Sequence, residues 1–408
     1  MATIAVLGTL DTKGDEHTFV AECIRARGHS PLLIDVGTGS PPRSVPDITR
    51  EEVARAGGID LPGLMATGDR GVCIAGMVKA AAAILLQLHR EGRIDGAISL
   101  GGGGGTAIAA AAMRELPLGF PKIIVSTLAS GNTSGYIGTR DIVLMPSIVD
   151  IAGLNRVSRM VFSRAAGAIC GMVEAVIPVE DARPLIVASM FGNTTECVGI
   201  AKQVLEEAGY EVLVFHATGT GGRTMEALID SGLVSGVLDI TTTEWADELV
   251  GGVLTAGPER LDAVARAKIP AVVVPGCLDM VNFSEPESVP AKFSGRRFYQ
   301  HNPHVTLMRT TPQECEELGR VLARKINAYT APVTVLIPLL GVSVISAAGG
   351  PFYDPKADQA LFGSLQAELR KDIPCVCLNS EINAPEFAKA CAHALLDALR
   401  PGTLKSNE

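Results

Sequence analysis

Residues 101–106 read Gly-Gly-Gly-Gly-Gly-Thr, set between an apolar run that ends at Leu100 and an alanine-rich run that reaches Arg114. A strand, a turn bare of side chains and a helix start together make a cradle for an anion. Glycine amides can approach a phosphate closely, and a helix N-terminus carries partial positive charge. Gly101, Gly102, Gly103, Gly104, Gly105 and Thr106 are therefore expected to hold phosphate groups.

Three other loops supply matching chemistry. Gly8-Thr-Leu-Asp-Thr-Lys-Gly14 follows the first apolar run. It lacks the Gly-Lys-Ser/Thr of a Walker loop, yet Lys13 can act as a point charge on phosphate. Asp11 or Thr12 can offer oxygen to Mg²⁺ or cap a helix. Gly8 and Thr9 complete that loop. Asp35 ends the second apolar run, where a dinucleotide fold places its ribose-binding acid; a solvated acid is the plainer reading. Ser126, Thr127, Ser130, Gly131, Asn132 and Thr133 form a segment rich in hydroxyls and amides, suited to phosphate oxygens or a carboxylate, or simply a polar loop. Asp150 falls just past a further apolar run and could hold a metal or cap a helix. The spacing Gly102-x-Gly104-x-x-Ala107 fits a dinucleotide motif formally, but it follows a later strand and lacks the downstream acid. It is more similar to the Gly-Gly-Asp-Gly-Thr loop of phosphofructokinase-like kinases, with Gly103 in place of the acid.

These loops need strands and helices to position them, and the chain provides two sets. Gly28 maps onto Gly209, and with the same offset Ile4 falls on Leu185. The runs beginning Ile94, Pro121 and Val143 resemble those beginning Val234, Pro270 and Val335. Continuous β-branched runs between helical stretches read as buried parallel strands. The expected class is α/β: two tandem doubly wound parallel-sheet domains, residues 1–180 and 181–408, joined near Pro178–Pro184. Ligands are expected at the carboxyl ends of the strands.

The second half lacks the phosphate kit. Thr194 stands where Lys13 does, His216 where Asp35 does, and Thr241-Thr-Thr-Glu-Trp-Ala-Asp-Glu248 where the glycines do. Glu244 and Asp279 are candidates for proton work, His301 for an acid or a ligand, and Arg309 for a carboxylate clamp. Cys277 is a weaker candidate nucleophile, with His301 as its partner. A structural role is the alternative for each.

The bulk composition narrows the partners. Of 408 residues, 47% are hydrophobic and 19% charged, which disfavours disorder, and the net charge of −9 disfavours nucleic acid. No apolar run is expected to span a membrane. Nine cysteines without zinc-like spacing read as reduced thiols of a cytoplasmic protein.

The stretches Gly8–Lys13, Leu100–Thr106, Met145–Asp150, Leu238–Trp245 and Pro275–Asn282 together resemble one family. It comprises the ATP-binding domain of the tomato mosaic virus resistance protein and its bacterial relatives. The resemblance covers about residues 2–400 and implies two Rossmann-like domains, ATP with Mg²⁺ in the first, and a homodimer or higher homo-oligomer. The leading expectation is an ATP-Mg²⁺ enzyme acting on a small carboxylate-bearing metabolite at the interdomain cleft. Two others stand beside it: a nucleotide-independent hydrolase or carbon–carbon lyase for a phosphorylated or keto-acid substrate, and an ATP-gated protein-binding module.

Overall fold

The computed structural model describes residues 1–177 and 183–400. The chain divides into two compact units, Met1–Val179 and Glu180–Glu408. The junction expected near Pro178–Pro184 falls largely outside the described residues, as does the tail beyond Arg400.

In the first unit the elements run β1 (Thr3–Gly8), α1 (Leu10–Arg25), β2 (Ser30–Asp35), α2 (Arg50–Ala56), α3 (Leu61–Ala66), α4 (Arg70–Arg90), β3 (Gly96–Gly101), α5 (Gly103–Arg114), β4 (Lys122–Ser126), α6 (Ser134–Ile137), β5 (Val143–Pro146) and α7 (Arg156–Glu174). The strands form one parallel sheet in the order β2-β1-β3-β4-β5. Alternate residues of β1 serve opposite cores. Ile4 and Val6 pack with Val20 and Ile24 of α1 and Phe162 and Ile169 of α7. Ala5 and Leu7 pack with Met77 and Leu85 of α4 and Ile108 and Met113 of α5. Apolar side chains on both faces explain the unbroken apolar runs. The sheet order reverses direction between β1 and β3, which fixes where a crevice opens.

One helix bears on the expectation that no apolar run spans a membrane. Helix α4 has 21 residues and is long and apolar enough to cross a membrane by length and composition. Its Met77, Ala80, Ala81, Ile84, Leu85 and Leu88 lie buried in the core between sheet and helices.

The second unit runs β6 (Leu185–Met190), α8 (Thr195–Glu207), β7 (Glu211–His216), α9 (Thr220–Asp230), β8 (Val234–Thr241), α10 (Glu244–Val250), α11 (Ala263–Ala267), β9 (Ala271–Gly276), β10 (Met280–Phe283), β11 (Phe298–Asn302), β12 (Val305–Arg309), α12 (Pro312–Ile326), β13 (Val333–Pro338), α13 (Pro355–Glu368), β14 (Cys375–Leu378) and α14 (Pro385–Leu399). Its parallel sheet is ordered β7-β6-β8-β9-β13-β14. The first five strands repeat the order of the first unit, and each pair is one matched in the sequence. The duplication is therefore structural, with β14 added and α14 packed on α8 as α7 is on α1. Between β9 and β13 lies an antiparallel sheet, β10-β12-β11.

Candidate functional site

A cavity of about 620 Å³ opens at the carboxyl ends of β1, β2 and β3, beside the switch point of the first sheet. From β1 and the start of α1 it is lined by Thr9, Asp11, Thr12 and Lys13. After β3 it is lined by Gly102, Gly104 and Gly105. Asp150 completes the polar rim. Val36, Met65, Ile74, Met77 and Ile108 form an apolar wall. One end is thus built for charge and the other for a flat or apolar group.

Local rules explain the β1 side. Lys13 breaks α1 with φ −128° and ψ 28°, after a single turn closed on the Thr9 carbonyl. The Lys13 ammonium donates to the Ile151 carbonyl and still lines the cavity. Asp11 is 8% exposed; its Oδ2 accepts from the Gly39 amide at 2.8 Å, while its Oδ1 has no partner. A buried carboxylate oxygen left unpaired is costly unless something else meets it.

The glycine run divides by what each position must accommodate. A Cβ on Gly101 would stand 2.6 Å from the Thr106 nitrogen, so backbone packing demands glycine there. A Cβ on Gly104 would meet the flexible end of Ile74 at 2.8 Å. Gly102 and Gly105 would meet nothing closer than 3.8 Å and 3.6 Å, Gly103 has open space, and none of the five has positive φ. Neither conformation nor packing explains glycine at 102, 103 and 105. Helix α5 begins within the run, earlier than the alanines, so the first amides of a 12-residue helix belong to these glycines. Such amides have no intrahelical partner.

Several expected residues sit elsewhere. Asp35 is fully buried; its Oδ1 accepts from the amides of Leu10 and Gly37 at 3.1 and 2.8 Å. It ties the loops beneath the cavity rather than reaching a ribose, and burial raises its pKa. Gly8 is also behind the cavity, making room for the His17 ring, which lies 2.1 Å from where a Cβ would be. Burial lowers the pKa of His17 and keeps it neutral. Thr106 and Ser126 are buried and bond each other at 2.7 Å, fastening α5 to β4. Gly131, Asn132 and Thr133 line neither this cavity nor its neighbour; Asn132 accepts from the Ser134 amide and hydroxyl.

Sequence reasoning missed Arg70, an exposed cation at the start of α4 that lines the cavity. Its Nη2 lies 3.8 Å from the Cβ position of Gly104, and it has no partner among the described residues. Met65, Ile74 and Met77 were missed too. The turn Thr67-Gly-Asp-Arg70 before a long apolar helix is the signal that could have drawn attention, since Asp69 caps α4 through the amides of Gly71 and Val72.

The acids of the second unit are internal fasteners. Glu244 is 1% exposed: Oε1 accepts from the amides of Gly219 and Gly222, and Oε2 pairs with Arg260 at 2.7 Å. Arg260, equally buried, also pairs with Asp239 at 2.7 Å and Glu226 at 3.1 Å. Glu244 thus places the chain's own carboxylate on glycine amides at the start of α9. Asp279 is fully buried, with Oδ2 accepting from Ser343 at 2.8 Å and burial raising its pKa. His301 lies on β11, where every residue is exposed, and its ring faces Tyr299 at 6.5 Å. Cys277 is fully buried, and desolvation pushes its thiol well above the usual range, so it is no thiolate nucleophile. Arg309 is spent inside the protein on Phe352, Thr310 and Asp358.

Fold and cavity define a class: a tandem, doubly wound α/β protein with a ligand-sized, glycine-lined crevice in its first repeat. The chain belongs to the Uncharacterised protein family (UPF0261), whose N-terminal domain matches residues 2–178 and whose C-terminal domain matches residues 183–399. A UPF0261 protein of Clostridium tetani is 50% identical over 97% of this chain and 98% of its own length. The ToMV resistance protein Tm-1(GCR237) of Solanum lycopersicum is 41% identical over 96% of this chain, which spans 55% of the tomato protein. Among solved structures, UDP-N-acetylglucosamine 2-epimerase from Rickettsia bellii aligns over 66% of this chain and 78% of its own, at 11% identity and TM-score 0.22, too low for any argument.

Proposed function

We propose that the first unit binds ATP as its magnesium complex in the 620 Å³ cavity, and that the protein is a cytoplasmic ATP-dependent enzyme. The observation that carries this reading is the bare wall at Gly102 and Gly105, where the fold leaves room for side chains that the sequence withholds. Beside that wall stand the free amides of α5, Lys13 and Arg70, three sources of positive potential for a polyphosphate. The wall of Val36, Met65, Ile74, Met77 and Ile108 suits a purine ring.

Magnesium fits the residues present. Mg²⁺ is commonly held by one or two carboxylates together with substrate phosphates and water. Among the described residues no group of three or more His, Cys, Asp or Glu makes a metal site alone. Asp11, with its unpartnered buried oxygen, would therefore hold the ion jointly with the phosphates. When bound, the ion would supply neutralisation of phosphate charge. The chain's own part is to bind and orient: the glycine amides and Lys13 grip the phosphates, and the apolar wall excludes water from the base.

The test is calorimetric titration of ATP into the protein with and without Mg²⁺, alongside thermal shift. Saturable binding that Mg²⁺ strengthens, with that strengthening largely lost in Asp11→Asn, supports the reading. No heat and no shift at millimolar ATP overturns it.

A further inference from the structure

A second cavity, of about 290 Å³, opens at the carboxyl ends of β4 and β5. Ser126, Thr127 and Ser130 line it from one strand end, and Ser147, Ile148 and Asp150 from the other. Asp150 lines both this cavity and the larger one, so the two adjoin at that residue.

The lining has a distinct chemistry. Four of its side chains carry hydroxyls, and among the described residues no Lys, Arg or His lines it. Ser126 and Ser147 are engaged, with Thr106 and with the Val149 carbonyl at 2.6 Å. The hydroxyls of Thr127 and Ser130 have no partner among the described residues, and both residues are exposed. Asp150 Oδ1 accepts from the Ile151 amide at 2.8 Å, leaving Oδ2 free. At the lip, Val149 N donates to Ser147 O at 2.8 Å, closing a three-residue turn around Ile148 at φ 66°. β-branched residues rarely adopt that conformation. It holds Ile148 outward, 75% exposed, and keeps the neighbouring hydroxyl and carboxylate on the cavity side of the turn.

A carboxylate ligand would find no cation here and would be repelled by Asp150. A neutral polyol, which both donates and accepts hydrogen bonds, matches hydroxyls that do the same. Resting on the nucleotide reading above, we propose that this cavity takes a small uncharged polyhydroxylated acceptor, a sugar or polyol, which receives the terminal phosphoryl group of ATP with Asp150 as proton acceptor. The acceptor oxygen forms a bond to the γ-phosphorus, and its proton passes to the Asp150 carboxylate. The bond from that phosphorus to the bridging oxygen breaks, and its electron pair leaves with ADP. Asp150 then releases the proton to water. The products are ADP and a phosphate ester.

The experiment uses the full chain with D-ribose, D-glucose, D-fructose, glycerol and myo-inositol, and pyruvate and citrate as carboxylate controls. Calorimetry with Mg-ATP comes first, on the parent, Asp150→Asn, Thr127→Val and Ser130→Phe. Affinities within threefold of the parent are expected for Thr127→Val and Ser130→Phe, which do not line the nucleotide cavity; Asp150 lines it too, so turnover of Asp150→Asn is read at saturating Mg-ATP. ADP release is then expected to rise at least tenfold with one or more polyols, and to fall a hundredfold or more in Asp150→Asn. Ser130→Phe and the near-isosteric Thr127→Val should raise KM for that polyol more than kcat falls. The same polyol should raise the parent's Tm without nucleotide, and fail to do so in Ser130→Phe. ATP binding with no polyol effect on turnover or Tm overturns the acceptor site alone, as does stimulation by carboxylates only or full turnover in Asp150→Asn. Failure of ATP to bind overturns both readings.

Discussion

Replacing Gly105 by alanine separates a structural glycine from a ligand-serving one. The position is the third residue of α5, has no positive φ, and would place its Cβ no nearer than 3.6 Å to any atom. Alanine there restricts the unfolded chain and favours helix, so stability should rise by about 0.4–1 kcal/mol. For a unit of this size that is roughly 1–4 °C in Tm. The same methyl stands on the cavity wall. Losing one hydrogen bond to a charged phosphate costs about 1.5–3 kcal/mol, roughly a tenfold to hundredfold loss in ATP affinity. Gly101→Ala is the contrast: its Cβ would press the Thr106 nitrogen at 2.6 Å, so the Tm should fall. Differential scanning calorimetry and isothermal titration on both variants check this. A raised Tm with unchanged ATP affinity in Gly105→Ala would refute the phosphate cradle, and a lowered Tm would refute the claim that the fold does not need that glycine.

Three further outcomes are expected. Lys13→Met should weaken ATP binding about tenfold by calorimetry, because a point charge near phosphate is lost. Arg260→Leu should lower unfolding stability by about 3–5 kcal/mol in denaturant melts, since Glu226, Asp239 and Glu244 would remain buried without their cation. Burial raises Asp247 to about 7, above its unfolded value, so the stability it lends is complete below the unfolded pKa and is lost as pH rises through about 7. Between pH 5 and 8 that loss is about 3 kcal/mol, and Asp247→Asn, with the unpartnered Asn282 Oδ1 free to accept from the new amide, should flatten the slope.

The strand order was legible because parallel strands buried on both faces advertise themselves as apolar runs, and because the two halves carry them in the same sequence. The glycine loop and the Lys13 loop were legible for a local reason: their backbone chemistry is written in adjacent residues. Arg70, Met65 and Met77 were not, because helices α3 and α4 reach the cavity only through tertiary packing. Asp35, Glu244 and Asp279 were read as site acids because an acid after a strand end looks the same in sequence whether it faces a ligand or bare backbone amides. Only the folded position separates them: Glu244 lies on the amides of Gly219 and Gly222, and Asp35, Asp279 and Asp11 each keep an oxygen unpaired, but of these four acids Asp11 alone lines the cavity. The contrast between the halves, a bare cradle in one and an internal carboxylate in the other, is visible once both are folded.

The most direct measurement is a crystal structure with a non-hydrolysable ATP analogue and Mn²⁺. Triphosphate density against the amides at Gly102–Thr106, with an anomalous peak beside Asp11, is the predicted result. Saturating analogue bound only in the second unit, or absent from the first, would contradict it.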